Sequence, residues 1–81
     1  MEIVMIKKQG CMPCKKFEPV VNKLAESKNI SFRTIMAEKM PEKMRPDYYP
    51  YFFLYDNGKI IENWGGTSDR KVESVLKRHV K

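Results

Sequence analysis

Eighty-one residues with 42% hydrophobic and 32% charged side chains suit one soluble globular domain over 1–81, and exclude both a disordered chain and two independent cores. The longest apolar run, around Tyr48 to Tyr55, is far too short to span a bilayer. Sixteen Lys and Arg against ten Asp and Glu leave a charge of +6 at pH 7, but the two signs are interleaved and no recognition helix or stacking platform accompanies them. The excess therefore points to acidic partners, with neither nucleic acid nor membrane expected.

The N-terminus has no basic segment ahead of its apolar residues and no small-residue cleavage site, so no signal peptide is expected and a reducing cytoplasm is the expected compartment. Residues 2–8 predict a strand, and the continuous run Ile3-Val4-Met5-Ile6 suits one buried on both faces. Gln9-Gly10 breaks it. Phe17, Val20, Val21, Leu24 and Ala25 recur at i, i+3, i+4, i+7, i+8, the face of an amphipathic helix over 12–27, with Pro19 kinking or tightening it and Asn29 ending it. Ile30 to Met36 predicts a second strand. Residues 37–49, interrupted by Pro41 and Pro46, predict only a short irregular helix and a loop.

Tyr51 to Tyr55 is β-prone, Asp56-Asn57-Gly58 is a hairpin turn, and Lys59 to Trp64 is the returning strand. Gly65-Gly66 breaks that strand, Thr67 or Ser68 is a natural N-cap with Asp69 in the first turn, and Val72, Val75, Leu76 and Val80 predict a final helix. The order β-α-β-(α)-β-β-α predicts an α/β fold. The first strand–helix–strand is a right-handed parallel crossover and the hairpin adds two antiparallel strands, giving a mixed four-stranded sheet with helices on its faces.

Cys11-Met12-Pro13-Cys14 falls where the first strand hands over to the first helix. A three-residue step at a helix start brings two α-carbons within the roughly 4.4–6.8 Å that a disulfide needs. The helix end presents free N–H groups and a positive dipole, which stabilise a thiolate and lower its pKa below the free value of about 8.5. Lys7, Lys8, Lys15 and Lys16 flank the pair and add to this. Cys11, further out, is the expected nucleophile and Cys14, one turn in, the resolving thiol. Pro13 offers no N–H to the Cys11 sulfur and no charge, so the thiolate is stabilised less than it might be, and the expected direction is reduction of substrates. A zinc site needs about four ligands, and His79 is the one other candidate, so metal would require two subunits. His79 is expected to complement the dipole of the last helix, the exposed Met12 to suit varied substrates, and Trp64 and the tyrosines to pack in the core or groove.

With the motif in place, the chain resembles the thioredoxin–glutaredoxin superfamily over residues 2–80. Cys11-Met12-Pro13-Cys14-Lys15 followed by Pro19 is similar to the thioredoxin active-site helix with its kink proline. Pro50 followed by Tyr51-Phe52-Phe53-Leu54-Tyr55-Asp56-Asn57-Gly58 is similar to the family's proline–strand–hairpin. The resemblance implies a thiol–disulfide oxidoreductase, with Pro50 the cis-proline facing the disulfide and Tyr49 offering its backbone to substrate. Met12, Pro13 and Lys15 would support the site. Gly65-Gly66-Thr67-Ser68-Asp69 resembles the glutaredoxin glycine pair and polar cap, which implies Gly65, Gly66, Ser68 and Asp69 as a substrate groove.

The departures are informative. Gly10 stands where thioredoxins have Trp, and Met5 and its neighbours provide no buried acid. The family's N-terminal strand and helix have no counterpart, as in glutaredoxins, yet Tyr48-Tyr49 replaces the glutaredoxin Thr-Val before the proline. What the resemblance implies is a monomeric reductase of protein disulfides, ribonucleotide reductase being one such substrate in microbes and phages. A thioredoxin-reductase-type flavoprotein would recharge it, in the host cytoplasm if the chain is of phage origin. It would carry no cofactor beyond its own redox-active disulfide. The alternatives are a glutathione-dependent glutaredoxin, with glutathione as co-substrate, and a non-catalytic metal-binding or interaction module on the same fold.

Overall fold

Strand β1 (Glu2–Lys7) is where the four consecutive apolar side chains Ile3, Val4, Met5 and Ile6 fall, and all four are buried. The computed structural model, which describes residues 1–80, places β1 inside a four-stranded sheet of order β2-β1-β3-β4. It pairs in parallel with β2 (Ser31–Met36) and antiparallel with β3 (Tyr51–Asp56), and β3 pairs antiparallel with β4 (Lys59–Gly65). An interior strand has both edges bonded and both faces covered, which is why its apolar run does not alternate.

Helix α1 (Met12–Ser27) buries Cys14, Phe17, Val21 and Ala25, the stripe that a 3.6-residue repeat lines up, while Val20 lies at the exposed margin of that stripe. Pro19 lies inside the helix. Asn29 closes it with φ +56°, a left-handed conformation that Asn tolerates. Helix α2 (Asp69–His79) buries Val72, Val75 and Leu76. Ser68 is its N-cap, the Oγ accepting the Lys71 N–H at 3.2 Å. Asn57 and Gly58 turn the β3–β4 hairpin with φ +53° and +77°.

The mixed sheet and its helices are as expected, but the two helices share one face. There α1 and α2 meet Ile3, Met5, Phe52, Leu54 and Trp64. Phe52 is fully buried, with Phe17 edge-on at 5.9 Å and Trp64 stacked at 5.3 Å, so this ring ties the start of α1 to β3 and β4. Burial of such a ring is worth about 2–3 kcal/mol. The opposite face, with Val4 and Ile6, is covered by Ala37, Met40 and a row of aromatic side chains from Tyr49 to Tyr55. Residues 37–44 form only two single-turn 3₁₀ segments, Ala37–Lys39 and Glu42–Met44, because Pro41 interrupts them and only Ala37 is buried enough to anchor a helix. Gly65, expected to break β4, instead ends it opposite Tyr51; a side chain there would collide with the rings of Tyr48 and Tyr51. Gly66, at φ +101°, makes the break. No helix among the described residues is long and apolar enough to cross a membrane.

Two carboxylates fix elements to one another. Glu62 on β4 meets Arg78 and His79 at the end of α2, the latter with Nε2 at 2.8 Å from Glu62 Oε1. His79 thus clamps helix to sheet as well as lying in the basic last turn of α2. Burial pushes the Glu62 carboxyl up, but hydrogen bonds from His79 and Arg78 outweigh it and hold the group below its ordinary value of 4.5. A depressed folded value means that the stabilisation is complete above the ordinary value and is lost as pH falls through the depressed one. Glu62→Gln is therefore expected to lower unfolding free energy at pH 7 by about 1 kcal/mol in urea denaturation. The difference from the parent chain should shrink as pH drops below 4.5.

Glu38, in the first 3₁₀ turn, accepts the Gln9 N–H at 3.0 Å and so holds the loop that leads into Cys11. That bond and its own backbone N–H, helped by the Arg45 and Lys8 charges, keep its carboxyl below the ordinary 4.5 against the opposing effect of burial. The anchor accordingly stays charged through neutral pH and is lost only as pH falls through the depressed value. The Gln9 amide chemical shift should titrate with a midpoint below 4.5, and Glu38→Gln should abolish that titration while speeding Gln9 amide exchange about 3- to 10-fold.

Candidate active site

The handover from β1 to α1 sets the geometry of the two cysteines. Gly10 takes φ +80°, the Cys11 N–H donates to the Lys8 carbonyl at 3.2 Å, and the chain enters α1 with Cys11 as its N-cap. Cys11 and Cys14 are joined as a disulfide with α-carbons 5.3 Å apart, inside the range the sequence spacing predicts. The Cys14 N–H points at the Cys11 sulfur, 3.2 Å away, so one of the unpaired donors of the helix end already serves that atom. No acidic residue stands in the first turn to cancel the dipole. Cys11 is partly exposed, whereas Cys14 is buried at 1%. Pro13 sits in the first turn, where its missing N–H costs the helix nothing.

Two hollows flank the pair, separated by Met12, which is 57% exposed. One, about 250 Å³, is lined by Cys11, Cys14, Lys8, Lys15, Gly10 and Met36. The other, about 330 Å³, is lined by Met12, Pro13, Lys16, Phe17 and Thr67. A wider depression of about 630 Å³ lies beyond Lys7 and Lys15, toward Glu18, Pro19 and Arg33, but neither cysteine reaches it. The chemistry belongs to the smaller hollow because the sulfurs are there.

The Tyr49–Pro50 bond is cis, as the resemblance implied, and Pro50 is fully buried. Tyr49 packs against the same core layer as Cys11, and the Lys8 ammonium lies 5.1 Å above its ring centroid. Tyr48 lies on the sheet face that carries Tyr51. There it covers Gly65 and meets Tyr51 edge-on at 5.6 Å. Among the candidate groove residues, Gly65 lies beneath that ring, and the Gly66 N–H donates to the Pro50 carbonyl at 3.0 Å. Ser68 Oγ and Asp69 Oδ1 accept N–H groups of α2 itself. Thr67 is the residue of this stretch that lines a hollow.

Sequence reasoning missed Met36, which arrives from β2 with no local signal, and took the neighbours of Thr67 rather than Thr67 itself for the groove. It also left unassigned the Lys7–Glu18 ion pair, 2.8 Å, that bridges β1 to α1 beside the site. Glu18 lies one helical turn after Cys14, a spacing that would have pointed to it. Among the described residues no three His, Cys, Asp or Glu side chains gather as metal ligands, and His79 is engaged with Glu62.

The comparisons with known proteins agree with this geometry. The thioredoxin family profile matches residues 3–78. Among solved structures, the chain is similar to thioredoxin 1 of Thermosipho africanus, at 21% identity and a TM-score of 0.84, over 98% of this chain and 93% of that one. It is similar to Schistosoma mansoni thioredoxin at 27% identity and a TM-score of 0.84, over 98% of this chain and 76% of the other. With Fasciola hepatica thioredoxin the values are 24% and 0.83, over 96% and 79%. No curated protein sequence matches. A profile match over nearly the whole length, on a fold with a cysteine pair at the start of the first helix and a buried cis-proline before the third strand, establishes that this chain belongs to the thioredoxin family.

Proposed function

We propose that the chain is a protein-disulfide reductase that works through Cys11 and Cys14. One observation carries the reading: the disulfide joins an accessible sulfur at a helix N-cap to a buried one a turn further in. In the dithiol form the Cys11 thiolate, favoured by the Cys14 N–H and the helix end, attacks one sulfur of a substrate disulfide. A mixed disulfide forms, and the first substrate thiolate leaves and takes a proton from solvent. Cys14 then loses its proton and attacks Cys11 Sγ, which closes the intramolecular disulfide and expels the second substrate thiolate. Two electrons and two protons pass to the substrate, and an external reductant must return them. No other cofactor is needed.

The finer choice is between a thioredoxin-type and a glutathione-dependent cycle, and we favour the first. Pro13 leaves the thiolate without an N–H at that position, which favours a reducing couple. The Ser68 and Asp69 side chains, on which the glutathione reading rests, are engaged in capping α2. The cytoplasm, where thiols are kept reduced, is the compartment that suits this cycle.

Reduced protein should reduce insulin in the presence of dithiothreitol. Cys14→Ser should accumulate a mixed disulfide at Cys11 by mass spectrometry, whereas Cys11→Ser should fall to background; wild-type activity in Cys11→Ser would reverse the assignment. For the cycle, oxidised protein is expected to be reduced faster by NADPH with a thioredoxin reductase than by glutathione with NADPH and glutathione reductase. Faster turnover in the glutathione arm, with a Cys11–glutathione adduct, would make the chain a glutaredoxin in function.

A further inference from the structure

Resting on the reductase reading above, we propose that the two hollows beside Cys11 dock an acidic polypeptide segment. The preferred substrates are then protein disulfides with Asp or Glu within a few residues of the attacked cysteine.

The charged side chains that line the two hollows are all lysines. Lys8 and Lys15 line the hollow that holds both cysteines, and Lys16 lines the one beyond Met12. No acidic side chain lines either. The carboxylates close by lie outside both hollows: Glu18 is paired with Lys7 at 2.8 Å, and Glu38, which accepts the Gln9 N–H at 3.0 Å, interacts with the Lys8 charge but forms no ion pair with it. Among the described residues no ion pair neutralises Lys8, Lys15 or Lys16. Successive residues on a helix point about 100° apart, so Lys15 and Lys16 face the two hollows separately and the cations straddle the disulfide. Lys8 is held in place by the Tyr49 ring beneath it.

This arrangement selects a kind of substrate rather than one molecule. An extended segment of about five residues is roughly 17 Å long and would lie across both hollows with carboxylates on either side of its cysteine. Met36 in one hollow, Phe17 in the other and Met12 between them offer apolar surface that adapts to varied side chains. Of the polar groups beside Thr67, the Gly66 N–H is taken by the Pro50 carbonyl and Ser68 Oγ already accepts the Lys71 N–H. Lysine ends remain, and these steer an anionic segment toward the sulfur and slow the approach of a cationic one.

The test uses reduced full-length protein and three peptide disulfides of equal length whose cysteine is flanked by Asp and Glu, by Ser and Gln, or by Lys. At about 20 mM ionic strength the acidic peptide should react about tenfold faster than the basic one, and at about 0.5 M salt the ratio should fall to about twofold. In the double variant Lys8→Glu/Lys16→Glu the order of acidic and basic peptides should invert. The ratio is read within each protein, so a change in intrinsic reactivity cancels. Should that variant fail to fold, the wild-type ratios and their salt dependence decide alone. Equal rates for all three peptides at low salt would overturn the inference while leaving the reductase reading intact. So would faster reduction of glutathione disulfide than of the acidic peptide. Failure to reduce any disulfide, the neutral peptide included, would overturn both.

Discussion

Burial of β1 on both faces and bonding on both edges is the constraint from which the site is built. Ile3 and Met5 seat α1 and α2 on one side, and Val4 and Ile6 seat the 3₁₀ segment and the aromatic row on the other. A strand held on four sides has no freedom at its C-terminal end, so the point at which the chain leaves the sheet is fixed. Cys11 follows four residues after the last residue of β1, and Cys14 is pressed into the same core layer as Ile3 and Met5. The difference in exposure between the two sulfurs is thus a consequence of where β1 ends and where α1 must lie to bury Phe17 and Val21.

The core contains no buried charge among the described residues. The electrostatics that bear on the sulfurs therefore come from the helix end and from lysines at the rim, not from a group sealed beneath them. Such charges are solvated and act over a Debye length of about 8–10 Å at physiological salt, which suits steering of a partner better than a large fixed shift in reactivity. The one carboxylate a helical turn from Cys14 is Glu18, and it is tied to Lys7 at 2.8 Å.

The segment between β2 and β3 is short of regular structure but not of consequence. Met36 at the end of β2 lines the cysteine hollow, and Glu38 grips the loop before Cys11 through the Gln9 amide. Arg45 holds the segment's own carbonyls, donating to Ala37 at 2.9 Å and Met40 at 3.2 Å. The chain then returns through Tyr48, which covers Gly65, through Tyr49, which packs against the core on both sides of the sheet, and through the cis bond to Pro50. Two structural demands meet here. The aromatic row needs cover, and Gly65 makes room for Tyr48 to provide part of it.

Much of this was legible in the residues themselves because it rests on local rules. The apolar spacing of α1 locates the helix over 12–27, Asn57-Gly58 specifies the hairpin, Thr67-Ser68 narrows the cap to two residues, and Cys11-Met12-Pro13-Cys14 gives the reactive pair. Each depends on neighbours within about one helical turn or one β-turn. Which face the helices share, where Tyr48 turns, how Glu62 meets His79 and how Met36 and Thr67 come to flank the sulfurs are not of that kind. Those contacts join residues far apart in the chain, and several side chains of the same type were free to make them. The sequence by itself determined the elements, their order, the chemistry of the cysteine pair and the lysines that flank it; only the tertiary structure decided which distant residues reach the sulfurs and which hollow each lysine lines, because burial and proximity are properties of packed surfaces and not of spacing along the chain.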